Sequence, residues 1–173
     1  GGVTETATVT VSVTAVNDAP VNSVPVAQST TEDTNVVFSS ANGNAITVAD
    51  VDSTLTTTLS VVNGTLTLGS VSGVMVSGNG TGTVTVSGTP AQIRAALNGL
   101  SFAPIADWNG STTLNVSTSD GVAAAVNSTV QINVAAVADI FSDSDSTAED
   151  TARTFNVLTN DKFENAGRLV TSV

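Results

Sequence analysis

The stretch Val126-Asn127-Ser128-Thr129-Val130-Gln131-Ile132-Asn133-Val134 decides the fold class. Val126, Val130, Ile132 and Val134 share one parity while Thr129, Gln131 and Asn133 share the other, the period-two pattern of a half-buried β-strand. The same pattern stands near the start of the chain, where Val9, Val11 and Val13 alternate with Thr8, Thr10, Ser12 and Thr14. Both stretches run into kindred linkers. Val13-Thr14-Ala15-Val16-Asn17-Asp18-Ala19-Pro20 is echoed by Val134-Ala135-Ala136-Val137-Ala138-Asp139-Ile140, and Thr31-Glu32-Asp33-Thr34 by Ala148-Glu149-Asp150-Thr151. An echo at about 120 residues has the period of one small domain, longer than a solenoid unit. It predicts that residues 1–18 are the last strand and linker of a preceding repeat, 19–138 a complete repeat, and 139–173 the linker and first strands of a following, truncated one. A copied module favours a structural or binding role over a unique catalytic centre.

Composition points the same way. Apolar residues make up 40% of the chain but aromatics only 3%, so the core is built from Val, Leu, Ile and Ala, which suits thin sheets. Four basic residues stand against fifteen carboxylates, for a net charge of −11, and no basic stripe for nucleic acid can form. No apolar run approaches the roughly 18 residues of a membrane span. Cysteine is absent, so disulfides cannot stiffen the joints between repeats.

Turn signals divide the middle of the chain into short strands. Asn42-Gly43, Asn63-Gly64, Asn79-Gly80 and Asn109-Gly110 favour positive φ and tight turns, and they fall between apolar runs such as Leu59 to Val62 and Thr65 to Leu68. This is the signature of an antiparallel β-sandwich. One segment departs from it. Thr89-Pro90-Ala91-Gln92 has the capping-box pattern with proline at the first helical position, and Ile93, Ala96, Leu97 and Leu100 follow at helical spacing, with Gly99 as the breaker. A short crossover helix over about residues 90–98 is predicted. Trp108, with no second aromatic beside it in sequence, reads as core filler beneath a turn.

The chemistry lies in loop carboxylates. Asp50-Val51-Asp52 follows a strand read at Ala45 to Ala49, so both aspartates project from one side of an extended turn. Asp120 sits in a hairpin before the last strand, and Asn17-Asp18 in the linker leading in. In a seven-stranded sandwich these loops gather at one pole. An unpaired carboxylate cluster repels itself. A divalent cation relieves the repulsion, and a site of about six to eight hard oxygens at about 2.3–2.6 Å describes Ca2+ better than magnesium or zinc.

The order Asn17-Asp18-Ala19-Pro20, Glu32, Asp50-Val51-Asp52, Asp120 resembles the calcium motifs of cadherins. The whole period is similar to the cadherin-like and bacterial immunoglobulin-like repeats of large RTX-type adhesins of Gram-negative bacteria, which are exported by type I secretion. Ala91-Gln92-Ile93-Arg94-Ala95-Ala96-Leu97, Leu100-Ser101-Phe102-Ala103-Pro104 and Ser119-Asp120-Gly121 resemble the second half of such repeats, and Asn156-Val157-Leu158-Thr159-Asn160-Asp161 the opening of a related subtype. The resemblance implies an all-β immunoglobulin/cadherin-like fold and calcium at each junction. Asn17, Asp18, Asp50, Asp52 and Asp120 would serve the first junction. Glu32, Asp139 and Asp161, with Glu164 as a further candidate, would serve the second, and Glu149 is the echo of Glu32. Glu32 and Asp33 stand as alternatives. Ala138 in place of the linker asparagine, and Lys162-Phe163-Glu164 where aspartates usually continue, imply a second joint that binds fewer ions or bends more freely.

The expected role is a calcium-stabilised extender of a surface adhesin, extracellular and non-enzymatic, serving cell adhesion and biofilm formation. Its partners would be neighbouring repeats of the same chain. Two other readings are a module that binds a copy of itself or a glycan, through a patch for which only Trp108 and Phe102 qualify, and an accessory domain of a secreted carbohydrate-active enzyme using Asp50, Asp52 or Asp107. Catalysis is disfavoured because these aspartates sit in polar loops, without the apolar burial that raises the pKa of a general acid.

Overall fold

Among the described residues of the computed structural model, which are 1–137, 141–159 and 161, eleven strands and one helix follow in order. They are β1 (Val21–Ser23), β2 (Gln28–Thr31), β3 (Val36–Phe38), β4 (Thr47–Ala49), β5 (Leu55–Ser60), β6 (Gly64–Thr67), β7 (Met75–Ser77), β8 (Thr83–Gly88), α1 (Pro90–Leu97), β9 (Leu100–Pro104), β10 (Gly110–Ser119) and β11 (Val126–Ala135).

The larger sheet has the order β2-β11-β10-β5-β8-β7, antiparallel except where β2 lies parallel to β11. A second sheet runs β3-β9-β6, and β1 pairs with β4. The result is an all-β sandwich. Alternation does the sorting: Leu59, Val84, Leu114 and Ile132 of the larger sheet are buried in one cluster with Phe38, Leu66, Leu100 and Phe102 of the smaller. The opposite parity of the larger sheet is a layer of hydroxyls and amides, with Thr58 bonded to Thr85 at 3.2 Å and Ser111 to Asn133 at 2.8 Å. The buried threonines of the larger sheet are satisfied. Thr57 and Thr118 share a hydrogen bond of 3.1 Å across the β5–β10 pair, and Thr112 Oγ1 donates to the Val62 carbonyl at 2.8 Å.

The expected helix forms as a crossover between the sheets. Thr89 Oγ1 accepts from Gln92 N while Gln92 Oε1 accepts from Thr89 N at 2.8 Å, a complete capping box with Pro90 in the first turn. Ile93, Ala96 and Leu97 are the buried face, packed nearest β4 and β8. Gly99 ends it at φ +97°, its N–H donating to Phe38 O. The turn pairs behave as read: Gly43, Gly80 and Gly110 take positive φ, and in Asn63-Gly64 it is Asn63 that does so. Gly64 is needed for another reason, because a Cβ there would collide with the Phe102 ring and the Ala103 carbonyl. Trp108 is half-buried against the core beneath its turn, its backbone N–H donating to Ile105 O.

Two expectations change. Residues 3–14 form no strand: Val9, Val11 and Val13 are exposed, and among the described residues this segment has no ladder partner to hold it as a strand. Of the first strands expected in 139–173, residues 141–159 and 161 contain none, and the rest of that span lies outside the described residues. The sandwich has eleven short strands instead of seven because turns interrupt its layers. Between β3 and β4, for instance, the Asn44 side chain accepts from Ser39 N at 2.9 Å and shortens the strand read at Ala45–Ala49 to Thr47–Ala49.

Phe102→Ala, which opens a void under the central strand of the smaller sheet, is expected to cost about 3–5 kcal/mol. Thr89→Ala, which removes one cap, should cost about 1 kcal/mol. Urea unfolding of both variants checks the order, and equal losses would contradict the packing described.

Candidate functional site

Each end of the sandwich carries a group of acidic side chains, and the strand register places them. Val21 pairs with Ala49, so the linker before β1 lies beside Asp50, the first residue after β4. Ser119 pairs with Thr56 near the start of β5, which brings Asp120 to the same pole. Five of the residues singled out in sequence therefore meet: Asn17, Asp18, Asp50, Asp52 and Asp120.

Hydrogen bonds knit this proximal pole. Asp50 Oδ1 accepts from the backbone of Asp52 at 3.0 Å and Ser53 at 2.8 Å, fixing the turn. Asp120 Oδ1 accepts from Val122 N and Ala123 N, both at 2.9 Å, and its Oδ2 accepts from Asn17 Nδ2 at 2.7 Å. Ser53 Oγ donates to Asn17 Oδ1 at 3.4 Å, and Asp18 N donates to Asp52 Oδ2 at 3.3 Å. The linker is thus tied to both loops.

Electrostatics separates the three carboxyls. The Asp52 N–H holds the Asp50 carboxyl below its ordinary range, and the Asn17 amide does the same for Asp120. Asp52 is raised, first by the neighbouring Asp50 carboxyl. One oxygen has no role in this web. Asp50 Oδ2 is buried without a hydrogen-bond partner.

The distal pole is where β11 runs out. Glu32 is 6% exposed. Its backbone N–H donates to Ala135 O at 2.9 Å, and its carboxylate accepts from Val137 N and, at 3.4 Å, from Asn109 Nδ2. Asp33 Oδ1 accepts from Asp107 N at 3.2 Å, and both aspartates hold positive φ. Asp107 Oδ2 is a second buried oxygen without a partner. Asp107, named from the sequence only as an acid–base candidate, belongs to this pole. The available signal was the β10–β11 hairpin: Gly110 pairs with Val134, so Asp107 and Asn109 reach the level of residues 135–137.

Asp161 Oδ1 accepts from Phe141 N at 2.7 Å, and Glu149 is exposed. Neither has a described hydrogen bond to Glu32. Asp139 and Glu164, with Ala138 and Lys162-Phe163, lie outside the described residues.

Every donor at the two poles is an oxygen or an amide, a set that suits a hard cation and no soft one. Among the described residues no group of three or more acidic side chains is closed around a common point as it would be around a metal ion. Among them, too, no helix is long and apolar enough to cross a membrane. No family model and no curated protein matches the chain.

Glu32→Ala is expected to cost about 1–3 kcal/mol, because the bonds that the buried carboxylate accepts from Val137 N–H and Asn109 Nδ2 are lost. Glu149→Ala, at an exposed position, should stay within about 0.5 kcal/mol of the parent. Denaturant unfolding combined with amide exchange at Val137 checks both.

Proposed function

We propose that the chain is a calcium-stabilised structural module, a cadherin-like and bacterial immunoglobulin-like repeat that extends a bacterial surface adhesin. The observation carrying this reading is the orphaned Asp50 Oδ2, buried beside the raised Asp52 carboxyl and the linker-bound Asp120. A buried carboxylate oxygen without a donor costs free energy that a cation would offset. Asp50, Asp52, Asp120 and the Asn17 carbonyl would supply hard oxygens, with backbone carbonyls and water completing a calcium shell of about six to eight ligands. The ion would replace the hydrogen bonds that now bridge Asn17 to Asp120 and Asp18 to Asp52. Because those bridges join the linker to two loops, binding there would fix the angle at which the linker enters.

The distal group of Glu32, Asp33 and Asp107 would serve the next joint in the same way, with Asp139 and Asp161 as expected contributors from beyond β11. A carboxyl pair with opposed pKa shifts is also what acid–base catalysis uses. Against that stand the exposure of Asp52 and the amide side chain set between the loops, which suit a cation site in a polar turn better than a substrate pocket.

At about ten times its dissociation constant, calcium adds roughly 1.4 kcal/mol of stability per site. The melting temperature should therefore rise with calcium and fall on chelation. Magnesium should substitute poorly, since it holds its waters and demands a smaller octahedral site. Titration calorimetry of the chain should lose one binding event in Asp50→Ala with Asp52→Ala and a different one in Asp107→Ala. Unchanged calcium binding in the double variant would remove the proximal site from this reading.

A further inference from the structure

We propose that the free edge of β7 is a self-association edge, to which a second copy of this chain adds its own β7 antiparallel across a two-fold axis.

β7 closes one end of the six-stranded sheet. It pairs with β8 alone, Met75 opposite Ser87, Val76 opposite Val86 and Ser77 opposite Thr85. Sheet edges usually carry charge, proline or a bulge, because an unpaired ladder templates another strand. The opposite edge has such guards. β2 is preceded by Pro25, runs directly into Glu32-Asp33, and has the Gln28 side chain folded back onto the Val26 carbonyl at 2.9 Å. β7 has none of them. Residues 53–89 contain no charged side chain and no proline. Two apolar side chains stand open there, Met75 at 76% exposure and Val71 at 55%.

Charge identifies the partner. The chain carries −11, so two copies repel unless they meet where charge is absent. All six carboxylates between residues 21 and 137 lie at the poles: Glu32, Asp33, Asp50, Asp52, Asp107 and Asp120. The only basic residue in that span is Arg94 on α1. The β7 flank is therefore a side on which two like-charged molecules can touch without opposing carboxylates. With Val76 on the axis, Met75 of one copy faces the partner's Ser77. The apolar and hydroxyl layers of each sheet then continue into the other.

A three-residue edge holds weakly alone, so the association should depend on concentration. Copies joined in series would strengthen it through effective concentration. No residue of either pole takes part, so chelation should leave the association unchanged, and a failed calcium site would not count against it.

Sedimentation of the 173-residue chain in chelator, at concentrations up to about 1 mM, tests the proposal. The mass should rise towards double, with new amide protection confined to residues 74–77. Met75→Lys with Ser77→Lys puts like charges opposite one another and should keep the chain monomeric. Both positions are exposed, so circular dichroism should be unaltered. Thr129→Lys, on the outer face of β11, should dimerise like the parent. A parent that stays monomeric overturns the proposal, as does a double variant that dimerises normally. Loss of dimer in Thr129→Lys would place the contact on the sheet face and equally overturn it.

Discussion

The β10–β11 hairpin is the constraint on which the rest depends. Its register runs from Gly110 opposite Val134 to Thr118 opposite Val126, nearly the full height of the sandwich. One end delivers Asp120 to the loops around Asp50, and the other delivers Asp107 and Asn109 to Glu32. A slip of one residue would turn Leu114, Val116, Val130 and Ile132 out to water, so core burial fixes the register. The positions of both acidic poles follow from that hydrophobic requirement. No interaction among the carboxylates themselves is needed to bring them to the ends.

Most of the fold was legible because its rules are local. Two-residue alternation marked β11, Thr89-Pro90-Ala91-Gln92 marked the helix, and the Asn-Gly pairs marked turns that adopt left-handed backbone. Layer assignment was less legible. β1 and β4 leave the main sheets to pair with each other, and β2 joins β11 in parallel, choices that depend on contacts distant in sequence. Residues 3–14 show the limit of pattern: Val9, Val11 and Val13 alternate as well as any strand here, yet alternation prepares a segment for a neighbour and cannot supply one.

The proximal pole was found because Asp50-Val51-Asp52 and Asn17-Asp18 are compact signals close to strand ends. Asp107 was missed because its partners, Asp33 and the β11 terminus, are remote in sequence and meet only through the hairpin. The split between Asp50, lowered by a backbone N–H, and its neighbour Asp52, raised by the Asp50 carboxyl beside it, depends on which amide points at which oxygen. A spacing rule carries no such information.

The confinement of basic residues has a consequence for resistance to proteolysis. A protease that cuts after Lys or Arg finds one candidate bond between residues 21 and 137, the one following Arg94. That bond lies in α1, flanked by Ile93 and Ala96, both packed into the core. A protease cleft takes its substrate extended, so the helix would first have to unwind and withdraw those side chains. Digestion at this site is gated by opening of the core itself. Against such a protease the sandwich is shielded by having one cleavage point and by the helix that holds it, whose other face is packed into the core.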